Sequence, residues 1–466
     1  MRRLFPRRDE FDLTDGDIGR PLLYLSLPLV VSNLLQTAYN LADTFWLGQY
    51  GTEELAAITF AFPLVWLFIS LGLGLSVAGA ILVAQHTGAD DPEAASFAAG
   101  QTLTATFLVS AMLGVATYFL VDPVLALLGA SDAVRPLATG YMRLIGLAMP
   151  LLFGFSVFVS LMRGYGDTVT PMVVMFGTVV LNMALDPVFI FGWGPVPELG
   201  IVGAAYATVG ARALAMAVGL WILFRGAQGP QLKGWQLRPH LPTFGRLARL
   251  GLPASFDGMG SAISVNLMLA VVSLFATPVV AGYGIAVRIF SLVFLPAIAV
   301  EQGVETMTGQ NIGAGKPDRA ARTAAVAART MGVALSALGV VVWVAAQPIA
   351  SVFSGDPEVV AVAVEFLRVV AVSFGGIGIA RAYTGAFRGA GKTLNAAVVS
   401  IVVLGVLRLP IAVAGAFAIG RVGIWVGFAV SNLLGALLAY GWYRRGTWRG
   451  GTVTGDRAAV DTLAED

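Results

Sequence analysis

The sequence has no cysteine and only two histidines, His86 and His240. Disulfide frameworks, thiolate metal sites and cysteine nucleophiles are therefore excluded, and a histidine-rich metal centre lacks ligands. Charge is scarce too. Asp, Glu, Lys and Arg make up 12% of the 466 residues, where a soluble domain carries roughly a quarter. A nucleotide-binding loop is missing. GAGKP at 313–317 has proline after its lysine, and GAGKT at 389–393 lacks the upstream glycine and follows a helical stretch. Any uphill work must draw on an ion gradient. Period-two alternation is absent, which disfavours an outer-membrane barrel.

What the chain has in plenty is apolar surface. Hydrophobic residues make up 57%, and the mean hydropathy of +0.81 is too high for one soluble core, because a protein surface must be covered by something polar. Lipid is the solvent that fits. Runs of about 20 apolar residues are long enough to cross the hydrocarbon as helices. They fall at 22–47, 55–84, 97–120, 136–161, 169–191 and 199–224, then at 247–275, 279–308, 324–347, 359–387, 394–418 and 422–443. The reading is an all-α membrane protein of twelve transmembrane helices. Met1–Gly19 is charged and lacks an apolar run, so it reads as a tail and not a signal peptide.

Basic residues set the expected orientation. Arg2, Arg3, Arg7, Arg8 and Arg20 precede the first run, and Arg225, Lys233, Arg238, Arg246 and Arg249 lie between the sixth and seventh. Arg163, Lys316, Arg319, Arg322, Arg388, Lys392, Arg444, Arg445, Arg449 and Arg457 share that side. The other side has Arg135 and Arg421 against Glu53, Glu54, Asp122, Asp132, Glu198, Asp356 and Glu358. The positive-inside rule then predicts a multi-pass protein of the cytoplasmic membrane with both termini cytoplasmic.

The two halves repeat at one constant offset. LSLPLVVSN (25–33) aligns with LGLPASFDG (250–258), and AQHTGADDPE (84–93) with GQNIGAGKPD (309–318). MRGYGDT (162–168) aligns with FRGAGKT (387–393), without a gap, so that Pro28 falls on Pro253, Gln85 on Gln310 and Arg163 on Arg388. Six spans per half is an even number, so the halves share an orientation and are related by a pseudo-two-fold axis along the membrane normal. The expected division is a tail at 1–20, an N-lobe at 21–225, a cytoplasmic linker at 226–246, a C-lobe at 247–445 and a tail at 446–466.

Polar groups inside the runs are the functional candidates, because an acid at mid-helix costs roughly 2.5–3.5 kcal/mol even on insertion scales. Asp43 lies in NLADTFWLG; Asn182 and Asp186 lie four apart in LNMALDP, on one helix face; Thr208 lies about two turns into the sixth run. All four can meet in the outer half of the N-terminal bundle. Two carboxylates in a low-dielectric cavity cannot both stay charged cheaply, and they take up a proton or a sodium ion. Asn182 and Thr208 offer neutral oxygens suited to Na⁺ as the metal at this site. Pro187 frees the carbonyl of Met183 beside them. The competing reading is that each acid caps a helix end or meets interfacial water. Gln36, Tyr39 and Asp43 share a helix face, and with Tyr141 they are polar-tipped candidates for a cleft. Pro28 is the proline expected to bend. Glu301 and Glu305 read as solvated helix-end acids, Asp257 as hydrated near the inner face, and Glu365 as a partner of Arg368 three residues on.

The stretch LPLVVSNLLQTAYNLADTFWLGQYGTEELAAITFAFP (27–63), the paired Gln-x-x-Gly-x-x-x-Pro loops, the paired Arg-Gly-x-Gly-x-Thr motifs and LNMALDP resemble the multidrug and toxic compound extrusion (MATE) family, on its prokaryotic DinF-like and archaeal branch. The resemblance covers about residues 15–445. It implies a V-shaped pair of six-helix lobes exporting organic cations or drugs by alternating access, in exchange for H⁺ or Na⁺. It places the cation site on Asp43, Asn182, Asp186 and Thr208, substrate contacts on Gln36, Tyr39 and Tyr141, and the first-helix hinge on Pro28. The family's mid-helix carboxylate in helix seven is not matched, since Asp257 lies too near the helix start. The expected partners are small organic cations and the bilayer. No nucleic acid, no cofactor beyond the coupling ion and a monomeric state are expected. The rival readings are a flippase for a lipid-linked saccharide, which wants a basic cleft, and an intramembrane enzyme, which would have little but the Asp pair to work with.

Overall fold

The computed structural model describes residues 11–194, 196–226 and 229–451, with the backbone alone at 52, 55, 60, 62, 63 and 66. The tail residues before 11 and after 451, including Arg2, Arg3, Arg7, Arg8 and Arg457, lie outside the described residues. Among the described residues every regular element is helical. The first six are α1 (Gly19–Tyr50), α2 (Thr52–Gly88), α3 (Pro92–Leu127), α4 (Val134–Tyr165), α5 (Val169–Phe191) and α6 (Gly200–Arg225). A short 3-10 turn, Gly234–Leu237, leads into α7 (Leu241–Val272), α8 (Thr277–Gly313) and α9 (Pro317–Ser351). Then come α10 (Pro357–Ala371), α11 (Phe374–Gly389), α12 (Thr393–Ile401), α13 (Leu409–Ile419) and α14 (Arg421–Arg444), with a π-helical stretch, Val402–Arg408, joining α12 to α13.

Among the described residues eleven stretches are long and apolar enough to cross a membrane, and α10 with α11, bent by 54° at their junction, makes a twelfth if the pair is counted as one span. The expected span at 359–387 is therefore a broken one. Its cause is local packing. Ser373 Oγ turns back to Val370 O at 2.7 Å and accepts from Asn432 Nδ2 at 3.0 Å. Gly376 lies against the backbone of α14, where a Cβ would stand 2.9 Å from Asn432 O.

Helix starts and stops follow from the sequence. Asp91 accepts from Ala94 N ahead of Pro92, and Asp356 from Glu358 N and Val359 N ahead of Pro357. Side-chain oxygens here satisfy amides that the first turn leaves without partners. Gly166 ends α4 at φ 103°, in the left-handed region that favours glycine.

The helices form two compact units. Unit 1 runs from Leu27 to Ser255. Its core holds Phe155, Phe158 and Leu161 near one end, and Leu47, Met142 and Ile190 in a second cluster. The described part of unit 2 comprises residues 11–26 and 256–451, around an aromatic cluster of Phe290, Phe366, Phe374, Trp425 and Phe428.

The division passes through α1 and α7, beside Pro28 and Pro253, and not through the connection at 226–246. Hydrogen bonds explain it. In unit 2, Arg319 donates to the carbonyls of Asp15, Gly16 and Asp17 at 2.7, 2.8 and 3.0 Å, and Asn311 Nδ2 donates to Leu13 O at 3.0 Å. In unit 1, Gln101 Nε2 donates to Gln236 O and Arg238 O at 2.7 and 2.8 Å, and its Oε1 accepts from His240 N at 2.9 Å. Each half of the sequence thus begins with a strap fastened within the unit that the other half builds.

Candidate functional site: a buried acid pair in unit 1

Asp43 comes from α1, Asn182 and Asp186 from α5, Thr208 from α6 and Tyr141 from α4. The structure brings them together. Asn182 and Asp186 are fully buried, and Asn182 Nδ2 donates to Asp186 Oδ1 at 3.1 Å. The carboxyl groups of Asp43 and Asp186 face each other, with Asn182 beside both. Tyr39 OH donates to Thr208 Oγ1 at 3.0 Å, joining α1 to α6, and Tyr141 is buried within electrostatic reach of both acids. Neither acid is a solvated helix-end group: Asp186 is inaccessible and Asp43 is half-buried.

Three oxygens at this site, Asp43 Oδ1, Asn182 Oδ1 and Asp186 Oδ2, are buried without a hydrogen-bond partner. Buried acceptors in that condition are costly, each about 1–3 kcal/mol or more. A proton or a small hard cation held among them removes the cost. The donor set fits either. A transition metal is a poorer match, since the oxygens are hard and no imidazole or thiolate joins them.

Arg212 is the residue that pattern reading missed. It lies one turn beyond Thr208 on α6 and is buried. Its Nη2 donates to Gln36 Oε1 at 2.8 Å, and its guanidinium stands over the rings of Tyr39 and Phe155 at 4.9 and 5.2 Å. Gln36 also donates to Asn40 at 3.0 Å. Gln36 and Tyr39 thus hold a cation near the acids, and Arg212 acts on Asp43 through space. The available signal was the spacing of four between Thr208 and Arg212, which puts both on one helix face. Pro28 is buried inside a continuous α1, and Ser32 Oγ bonds its carbonyl at 2.9 Å.

Among the described residues unit 2 has no copy of this arrangement. The offset that aligns 25–168 with 250–393 carries Asp43 to Met268. Its charges are organised differently. Glu301 is buried and accepts from Thr384 at 2.7 Å, Arg381 at 3.0 Å and Arg388 at 3.1 Å, while Arg388 also bonds Asp257. Glu301 and Glu305 are thus buried and not solvated, and Asp257 is buried and paired and not hydrated. The helices packed over them withhold water, and the arginines supply the compensation. Glu365 pairs with Arg421 at 2.7 Å and not with Arg368, whose guanidinium lies over the Trp343 ring at 5.4 Å. Stacking on an indole competes well with an exposed ion pair three residues away.

Residues 28–188 and 253–414 each match the MatE family, so the family unit occurs once per repeat. The chain is 30% identical to the probable multidrug resistance protein YpnP of Bacillus subtilis, over 94% of this chain and 98% of that one. It is 28% identical to a FAD transporter of Shewanella oneidensis, over 93% and 96%. Among solved structures, that of a MATE protein in complex with MaL6 has a TM-score of 0.87 at 23% identity, covering 97% of this chain and 99% of that one. The Vibrio cholerae MATE transporter VcmN in its bent form also has 0.87, at 24% identity and 93% and 98% coverage. The last two show a shared fold.

Proposed function

The chain belongs to the MatE family of membrane transporters, and on that premise we propose that it exports small organic molecules, drugs among them, in exchange for H⁺ or Na⁺. The observation that carries the coupling is the facing pair Asp43 and Asp186, with three buried oxygens that lack partners. At full ionisation the two carboxylates and Arg212 leave one net negative charge. One proton or one sodium ion neutralises it, and in a low-dielectric interior that difference is large enough to select between two packings of the helices. Cargo and cation are exchanged if each favours a different packing. Tyr39 and Tyr141 lie within electrostatic reach of the acids and Gln36 holds Arg212, so cargo held on them senses the occupancy of the pair.

The multidrug name of the Bacillus relative supports lipophilic drugs as cargo, and that of the Shewanella relative widens the class to a nucleotide cofactor. Both are transporters, as this protein is, and catalysis is no part of the reading.

The test is transport in proteoliposomes under an imposed proton or sodium gradient, with a fluorescent organic cation as cargo. Asp43→Asn is expected to reduce gradient-driven transport to the level of empty liposomes while the protein still inserts. Transport unchanged by the substitution would remove the acid pair from the mechanism. Pro28 is the proposed bending point of α1, because the missing amide leaves the carbonyl of Tyr24 without its helical bond. Pro28→Ala restores that bond and is expected to slow turnover at least tenfold with cation binding retained. Equal turnover would place the bend elsewhere.

A further inference from the structure

Unit 2 contains a small, partly open cavity of about 60 Å³, lined by Phe294, Ile377, Val403 and Leu404 together with Arg381 and Arg408. Arg408 ends the π-helical stretch Val402–Arg408. Such an insertion into a helix re-aims the side chains around it and often marks a functional position. It is 7% exposed and held on one side only: Nε donates to Ser431 at 3.0 Å, Nη2 to Asn432 Oδ1 at 2.7 Å, and the guanidinium stands 4.6 Å over the Phe428 ring. Glu301 and Asp257 of unit 2 are engaged elsewhere. Glu301 serves Arg381 and Arg388, and Asp257 serves Arg388. Among the described residues no carboxylate pairs with Arg408; the titratable groups that act on it are Tyr283 and the like-charged Arg381.

A guanidinium stays charged in a protein and its burial without an anion is costly. One such uncompensated charge at an apolar cavity repels an organic cation and attracts an anion with an apolar body. We propose that this cavity binds the carboxylate or phosphate head of an amphiphilic anion, with Arg408 donating through Nη1. The inference concerns unit 2 and does not depend on coupling at Asp43.

The test uses the full-length protein in phosphatidylcholine nanodiscs, with dansyl-labelled undecanoate and its methyl ester as probes. The carboxylate is expected to bind at least tenfold tighter than the ester. Arg408→Gln is expected to weaken the carboxylate about 10- to 100-fold and leave the ester unchanged, the loss of a charge-assisted contact, while Arg408→Lys recovers part of it. Discs that include phosphatidylglycerol separate the two sources. Displacement of the probe assigns the site to a lipid phosphate, and persistence of the probe assigns it to a soluble carboxylate. Equal binding of acid and ester by the unsubstituted protein overturns the proposal, and so does an Arg408→Gln variant that binds the carboxylate normally. Should that variant fail to fold, the acid–ester comparison alone decides. Asp43→Asn is expected to bind the probe like the parent, so a failure of coupled export and a failure of this site give different results.

Discussion

Arg212 sets the charge of the acid site, and its removal has a countable effect. With Arg212 present, one monovalent cation neutralises the pair; without it, two are needed. Arg212→Gln is therefore expected to raise the protons released on cargo binding from about one to about two per protein. The readout is a pH indicator in weakly buffered detergent solution. An unchanged count would mean that the guanidinium is not part of the site's charge balance. The residue scale also shows what spacing can and cannot tell. Asn182 and Asp186 share a face by their separation of four, and Asp43 and Thr208 match them in depth, so the acid site was legible in the sequence. The partners of Arg212, Glu301 and Asp257 were not. Those contacts join residues 80 to 176 positions apart, and no local pattern encodes which arginine a buried acid will meet.

At the scale of elements the break between α10 and α11 differs from the uniform helix that the apolar run at 359–387 predicts. Hydropathy registers length and composition, and both are the same for a straight span and a bent one. The bend arises from Ser373 and Gly376 against Asn432, a residue on another helix. Gly376→Ala brings a Cβ onto the α14 backbone and is expected to destabilise the protein by about 1–3 kcal/mol, the usual cost of overpacking. Gly177→Ala on α5 meets no atom within 4 Å and is expected to stabilise by about 0.5–1 kcal/mol through helix propensity. Thermal unfolding in detergent separates the two, and equal shifts would show that the close approach of α11 to α14 carries no weight. The π-helical stretch is equally silent in sequence, because VVLGVLR reads as ordinary helix.

The whole molecule was most legible through its repeat. The matching of six expected spans to six and the two matched family units follow from it. The place of division did not, because the docking of the short straps at 11–17 and 234–240 depends on distant partners, Arg319, Asn311 and Gln101. Arg319→Ala removes three charge-assisted bonds and is expected to free residues 13–19, seen as amide exchange at least tenfold faster there than in the parent. Lysine at 319 should recover little, since an ammonium cannot span three carbonyls as a guanidinium does. Exchange left at the parent rate would show that the strap is held by its apolar side chains. The exchanged straps also bear on evolution by duplication. A gene cut between the repeats would yield two fragments, each lacking a piece supplied by its sibling and carrying a spare one meant for it. Produced together, such fragments have a specific reason to find each other; produced singly, each leaves a docking groove bare. Fusion of the ancestral copies into one reading frame would have fixed that mutual dependence at one-to-one.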